Sequence, residues 1–227
     1  MGADAGGAGW VGGPRQPLLS EVLDIDVELP SGRRLTGTVS GLVDDLVLSV
    51  TYSNVRSKQR LRSWITSLAL AAAGTTIPSH VIGREKRWRR TGQLHVCHGP
   101  HAREDALLIL DELVDVRDRG LSEVLPLPPA TSFAWADSFV SQQDEWEARN
   151  KALREWESST GSEAPIHREQ HSPAHLFVYG DAVPLGAILG EPQDGESWTR
   201  GVTSRLGQFA LRVWQPMLTG PERMWRQ

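Results

Sequence analysis

Two clusters of cations and one cluster of histidines are the residues of this chain best suited to chemistry. Arg56, Lys58, Arg60 and Arg62 crowd one short stretch. Arg84, Lys86, Arg87, Arg89 and Arg90 crowd a second, which carries net +4 across seven residues and sets Trp88 among the charges. Cations at that density suit backbone phosphates, and an aromatic side chain between them can stack on an exposed base. A solvated loop, or contact with an acidic protein surface, is the alternative reading of each cluster. His95, Cys97, His98 and His101 fall within seven residues, a donor set that superficially suits zinc. Their spacing matches no standard finger and no second ligand pair follows, so neither a metal nor any other cofactor is expected.

The elements that must position these groups can be read from periodicity. Leu23, Ile25, Val27 and Leu29 alternate with Asp24, Asp26 and Glu28, which predicts a strand with one buried and one wet face. Pro30-Ser31-Gly32 is a turn, and Arg34 to Val43 continues as a second strand. Asp44-Asp45 turns the chain again into a third strand carrying Leu46, Leu48, Val50 and Tyr52 on one face. The short connections predict an antiparallel meander. A helix follows, with Ser57 as its N-cap, Leu61, Trp64, Ile65, Leu68 and Ala72 on its buried stripe, and Gly74 at its end. Short strands are expected from Ser79 to Gly83 and from Leu94 to Cys97, and a second helix from Arg103 to Arg119, closed by Gly120. Ser132 is placed to cap a polar helical region reaching Trp156. Residues 157–172 read as a loop, His175 to Tyr179 as a strand, and Thr203 to Leu218 as a last helix.

Two strands and a helix in this order match the core of restriction-type, PD-(D/E)xK nucleases, an α/β (α+β) fold. Such an enzyme needs hard oxygen ligands for magnesium and a lysine beside them. Here Ser40 stands at the position of the first aspartate, and Thr51 and Ser53 stand at the ends of the D/E-x-K tripeptide. Arg60 and Trp64 hold the spacing of the Q-x-x-x-Y pair that some related nucleases carry on the following helix. Alternation predicts that Thr51 and Ser53 share a face, but none of the three is an anionic ligand or a charged activator. The active site reads as degenerate, with no catalytic residue.

Composition narrows the classes further. At 227 residues the chain can fill one core. The formal charge of −4 excludes a wholly basic protein while leaving room for local patches. The single cysteine, Cys97, excludes an internal disulfide framework and fits a reducing cytoplasm. The longest apolar run is too short to cross a bilayer, and the Gly-rich start lacks the pattern of a secretory signal. No G-x-x-x-x-G-K-[ST] loop is present to hold a nucleotide. Of nine tryptophans, Trp64, Trp135 and Trp214 fall on apolar stripes and read as core. Trp146, Trp156 and Trp198 lie in polar surroundings, where large aromatics mark an interface or, nearly as often, a small satellite core. The organisation expected is a Gly-rich lead-in over residues 1–20, one domain over 21–218 with a helical insertion and loop at about 131–172, and a tail over 219–227.

The ordered fragments carry a resemblance. GRRLTGTVSG, LVLSVTYSNVRSKQRLRSWITSLALAA, the run Val81-Ile82-Gly83-Arg84, LVDVRDRGLSEVLPLPPATSFAWA, the run Pro173 to Gly180 and the closing Leu206 to Leu218 together resemble the C-terminal domain of RecC, the gamma chain of exodeoxyribonuclease V, in its actinobacterial form. The resemblance covers most of the chain. It implies a nuclease-like fold without nuclease activity, working in the RecBCD helicase–nuclease of DNA repair and recombination. It also implies RecB-type and RecD-type subunits and DNA ends as partners, with no membrane. RecC proteins are several times longer, and the parts that scan for the Chi sequence are not in this chain, so Chi recognition does not carry over. The alternatives are a free-standing DNA-binding protein and a divergent metal-dependent nuclease.

Overall fold

The structure, a computed structural model, describes residues 21–86, 91–157, 168–191, 193–196 and 199–226. Strands β1 (Glu21–Glu28), β2 (Arg34–Val43) and β3 (Leu46–Asn54) lead into helix α1 (Ser57–Ala72). Strands β4 (Ser79–Lys86) and β5 (Thr91–His98) follow, then α2 (Arg103–Ser122), α3 (Pro129–Gln142), α4 (Glu145–Trp156), α5 (Pro173–Tyr179), α6 (Leu185–Ile188), α7 (Arg205–Thr219) and a last strand, β6 (Glu222–Arg226).

The strands form one six-stranded sheet in the order of the sequence. The alternation in β1 works as expected: Ile25 and Val27 are buried while Asp24, Asp26 and Glu28 face water. Gly32, at φ +80°, closes the β1–β2 turn, and Asp44, at φ +52°, turns β2 into β3. The antiparallel meander stops at β3, however. β4 lies parallel to β3 because α1 serves as the crossover between them, the connection that parallel neighbours require. The β4–β5 and β5–β6 pairs are antiparallel again. The sheet is therefore mixed.

Several boundaries differ from the sequence reading, each for an identifiable reason. Ser57 is the first residue inside α1. Arg56 is the cap residue, and its N–H donates to the Gln59 side chain at 3.1 Å. α2 runs through Gly120 to Ser122. The polar region up to Trp156 is two helices, broken at Gln143, which sits at φ +56°. Ser132 is no cap: it is buried inside α3, which starts at Pro129, and its hydroxyl accepts the Trp214 indole N–H at 2.9 Å. The real cap of α4 is Asp144, whose carboxylate accepts the N–H groups of Trp146 and Glu147. His175 to Tyr179 is helix, opened by Pro173 and closed by Gly180 at φ +77°. A short apolar run has no periodicity that separates a strand from a helical turn, whereas proline at the start and glycine after the end do. Residues 219–227, expected as a tail, contain the sheet's edge strand.

Ile25, Val27 and Val47 share one core cluster with Trp64, Leu68, Leu70, Trp135, Leu206, Phe209 and Trp214. The helices thus cover one side of the sheet. Trp64, Trp135 and Trp214 are core, as their stripes predict. Trp156 is core as well, against the interface reading: it is fully buried, and its indole N–H donates to the Val183 carbonyl. Trp146 is exposed, and Trp198 lies outside the described residues. α3 and α4 belong to this core, so the helices expected as an insertion are part of it.

Candidate nucleic-acid interface

Arg56 and Lys58 of the first cationic stretch and Arg84 of the second lie at one corner of the sheet. Asn54 at the end of β3 is in register with Arg84 on β4, and the Val55 N–H donates to the Arg84 carbonyl at 2.9 Å. Beneath them Val55, Val81, Leu94 and Val96 form a small apolar cluster of their own. Arg56 and Lys58 open α1 directly beyond that hydrogen bond, and both are exposed, as is Arg84. No acidic residue lies in the first turn of α1 and no side chain of the cap residue closes it. The free amides there and the positive end of the helix dipole add to the cations around them. Arg87, Trp88, Arg89 and Arg90 lie outside the described residues.

Arg60 is a different case. Its guanidinium makes a two-point ion pair with Glu222 of β6, with Nε to Oε1 at 2.8 Å and the second nitrogen to Oε2 at 2.5 Å. It also lies 4.6 Å above the Phe133 ring. Its side chain is only 12% exposed. Arg60 fastens α1 to the edge strand and is not free to contact a ligand.

The sheet corner also contains Thr51 and Ser53, two of the three positions compared above with a nuclease site. β3 leaves its ladder with β4 between Val50 and Asn54, where three residues of β3 oppose the single residue Gly83. The Ser53 N–H donates to the Thr51 hydroxyl at 3.1 Å across this bulge. A Cβ on Gly83 would stand 2.6 Å from the Thr51 methyl and 2.9 Å from the Ser53 carbonyl, so only glycine admits the bulge. The simple alternation expected for Thr51 and Ser53 is lost there. Tyr52, at the bulge, is 94% exposed. Ser40, on β2, is opposite Val22 of β1. β2 pairs with β3 only at Leu42 with Val47 and Val43 with Leu46. Ser40 is thus bonded away from β3, not beside the Thr51–Ser53 segment.

The histidine cluster is divided by the pleat. Leu94, Val96 and His98 of β5 face the helices, while His95 and Cys97 point the other way. His101 lies past β5, its Nε2 2.9 Å from the Ser67 hydroxyl of α1. Among the described residues no three His, Cys, Asp or Glu side chains are arranged to hold a metal ion. Burial pushes the Cys97 thiol up. It lowers His98 to about 3, with Arg60, His101 and His80 adding repulsion. His98 is therefore neutral beside Glu222, and its 3.5 Å approach to Oε1 is no ion pair.

This has a consequence for stability. Between the ordinary histidine value of 6.5 and about 3 the unfolded chain takes up a proton at His98 that the folded protein refuses. Stability is expected to fall as pH is lowered through that window. His80 and His101, both lowered by burial, act in the same direction. Urea midpoints measured across the window should decline with acid, and His98→Gln should flatten part of the decline. An identical slope in that variant would place the effect elsewhere.

Sequence reasoning missed the residues of β6. Glu222-Arg223-Met224-Trp225-Arg226 is a short alternation following Gly220-Pro221. Five residues at the end of a chain carry too little periodicity to stand out from a tail, although the turn pair before them was a usable signal.

The structure is of the mixed α/β class, a six-stranded sheet with helices on one side. The comparisons with known proteins are specific. Residues 8–139, more than half of the chain, match the family model of the RecC C-terminal domain. The chain is 34% identical over 197 residues to the RecBCD enzyme subunit RecC of Mycobacterium tuberculosis (strain CDC 1551 / Oshkosh), covering 86% of this chain and 17% of that protein. It is 36% identical over 204 residues to the RecBCD enzyme subunit RecC of Mycolicibacterium smegmatis, covering 87% of this chain and again 17% of the relative. The chain belongs to the RecC C-terminal domain family. It spans about one-sixth of the length of the curated relatives it matches.

Proposed function

We propose that this chain is a non-catalytic module of a RecBCD-type helicase–nuclease, binding partner subunits and DNA ends in double-strand-break repair by recombination. RecB-type and RecD-type subunits are its protein partners, and its fold is a degenerate restriction-endonuclease-like core. The family membership supports the assembly, and the strand–strand–helix order with α1 as crossover supports the core. The observation that carries DNA binding is the corner itself. Arg56, Lys58 and Arg84 lie close together in the fold at a helix N-terminus with no acidic residue in its first turn, an arrangement that suits a backbone phosphate. Cations in the first turn of a helix oppose its dipole, so a purely local stabilising role does not account for Arg56 and Lys58. Ser40, Thr51 and Ser53 supply no carboxylate or lysine, so strand cleavage belongs to another subunit.

The experiment is titration of blunt duplex DNA at several salt concentrations, alongside co-purification with the RecB-type subunit of the same cell. Charge reversal at Arg56 and Arg84 together is expected to weaken duplex binding and lower the salt slope by about one for each phosphate no longer neutralised. Unchanged affinity and slope would remove DNA from this corner. Failure of the folded chain to co-elute with the RecB-type subunit would remove the assembly role.

A further inference from the structure

The side of the sheet away from the helices has two halves of opposite character. On β1 it presents Asp24, Asp26 and Glu28, with Arg34 ion-paired to Asp26 through both nitrogens and the Thr38 hydroxyl donating to Asp24. From β3 to β6 it presents a different set. Register places Leu48 of β3, His80 of β4, Cys97 of β5 and Arg223 of β6 in one row, and Val50, Ile82, His95 and Trp225 in the next. Arg84 and Gln93 begin a third row. Val50 is 68% exposed, Trp225 is 46% exposed, and Arg84, Gln93 and Arg223 are exposed. The His80 and Trp225 rings bridge over β5, with their centroids 6.2 Å apart and their planes within 11° of parallel. Cys97, next to His80 in its row, is buried.

We infer that this half of the open sheet face is a binding platform for single-stranded nucleic acid, with bases stacking on the exposed Trp225 ring, which His80 flanks, and phosphates on Arg84 and Arg223. Aromatic rings on a sheet stack unpaired bases of any sequence, and flanking cations follow the backbone. A duplex keeps its bases stacked inside and has no use for such a plane. Charge complementarity selects the occupant: Arg84 and Arg223 form no ion pair among the described residues, whereas the next cation, Arg226, is tied to Glu85 at 2.9 Å. The acidic row of β1 bounds the platform, repelling a phosphate chain that strays past β3. Arg84 opens onto the phosphate-binding corner as well, so a strand separated from a duplex held at that corner has a short path to this face. The inference rests on DNA as the ligand of that corner, and the experiment separates the two.

The folded chain is titrated with a labelled oligo(dT) and, separately, with a labelled blunt duplex. Trp225→Ala is expected to weaken oligo(dT) binding about 5- to 150-fold, the range one stacked base contributes, while duplex affinity holds. Trp225→Phe should restore most of the loss, because the ring remains. Arg223→Glu should weaken oligo(dT) binding and reduce its salt dependence without touching an aromatic ring. Equal oligo(dT) affinity in wild type, Trp225→Ala and Arg223→Glu would overturn the platform while leaving the duplex corner standing. Loss of co-elution with the RecB-type subunit in Trp225→Ala, with oligo(dT) binding intact, would also overturn it and assign the face to a protein.

Discussion

Replacing Glu222 by alanine is expected to destabilise the protein by about 3–5 kcal/mol, the cost of removing one partner from a buried ion pair. Glu222 holds both nitrogens that Arg60 turns toward β6, and the two side chains are 12% and 10% exposed. Without the carboxylate, a guanidinium stays between the Phe133 ring and a neutral histidine, its charge unpaired in a largely buried site. β6 is paired on one side only and has five residues, so this tie to α1 is a main anchor of the edge strand. Urea unfolding followed by far-UV circular dichroism gives the number. A loss below about 1 kcal/mol, typical of a solvated pair, would show that water reaches Arg60. Glu222→Gln keeps an acceptor but not the charge and should fall between. Replacing Arg60 and Glu222 together by methionine should recover much of the loss, because two apolar side chains of similar volume need no partner. That pattern would also confirm that Arg60 serves the fold and not a ligand, unlike its neighbours Arg56 and Lys58.

Arg60 illustrates which parts of this molecule its sequence discloses. Strong local patterns were legible: the alternation of β1, the turn at Asp44, and the stripe of α1 with Gly74 behind it. What decides Arg60's role lies 162 residues away, and no local pattern couples a cation in one helix to a carboxylate at the other end of the chain. The same limit applied to Trp156, whose polar neighbours suggested a surface although its ring is filled in by His175 and Tyr179 of α5. The cationic stretches were visible as two separate patches. That Arg84 stands beside the start of the first patch follows from the parallel β3–β4 pairing, a topological fact that α1 imposes. The Thr51–Ser53 bulge was hidden for a related reason: period-two reading assumes an unbroken ladder, and Gly83 on the neighbouring strand is what allows the ladder to break.

Trp214→Ala is the second large effect, expected at about 3–5 kcal/mol as for other buried aromatic truncations. Trp214 is 1% exposed on α7 and meets the Phe133 ring edge-on at 5.2 Å. It ties α7 to α3 through the hydrogen bond from its indole N–H to the Ser132 hydroxyl at 2.9 Å. Alanine there removes the ring's packing, leaves a cavity and orphans a hydroxyl that has no access to water. Trp214→Phe should cost less, because most of the apolar packing survives, and Ser132→Ala should cost about 1–3 kcal/mol, for the stranded indole N–H. The double variant, Ser132→Ala with Trp214→Phe, removes both polar atoms. It should therefore be more stable than the sum of the single losses predicts. Far-UV circular dichroism in urea is the suitable readout, since nine tryptophans blur any single fluorescence signal. Strict additivity of the two single variants would mean that the Trp214–Ser132 bond contributes nothing and that the ring's volume alone holds α7 in place. A positive coupling would make the bond a device that fixes the rotation of α7, and with it the point at which the chain leaves the helix layer to add β6 to the sheet.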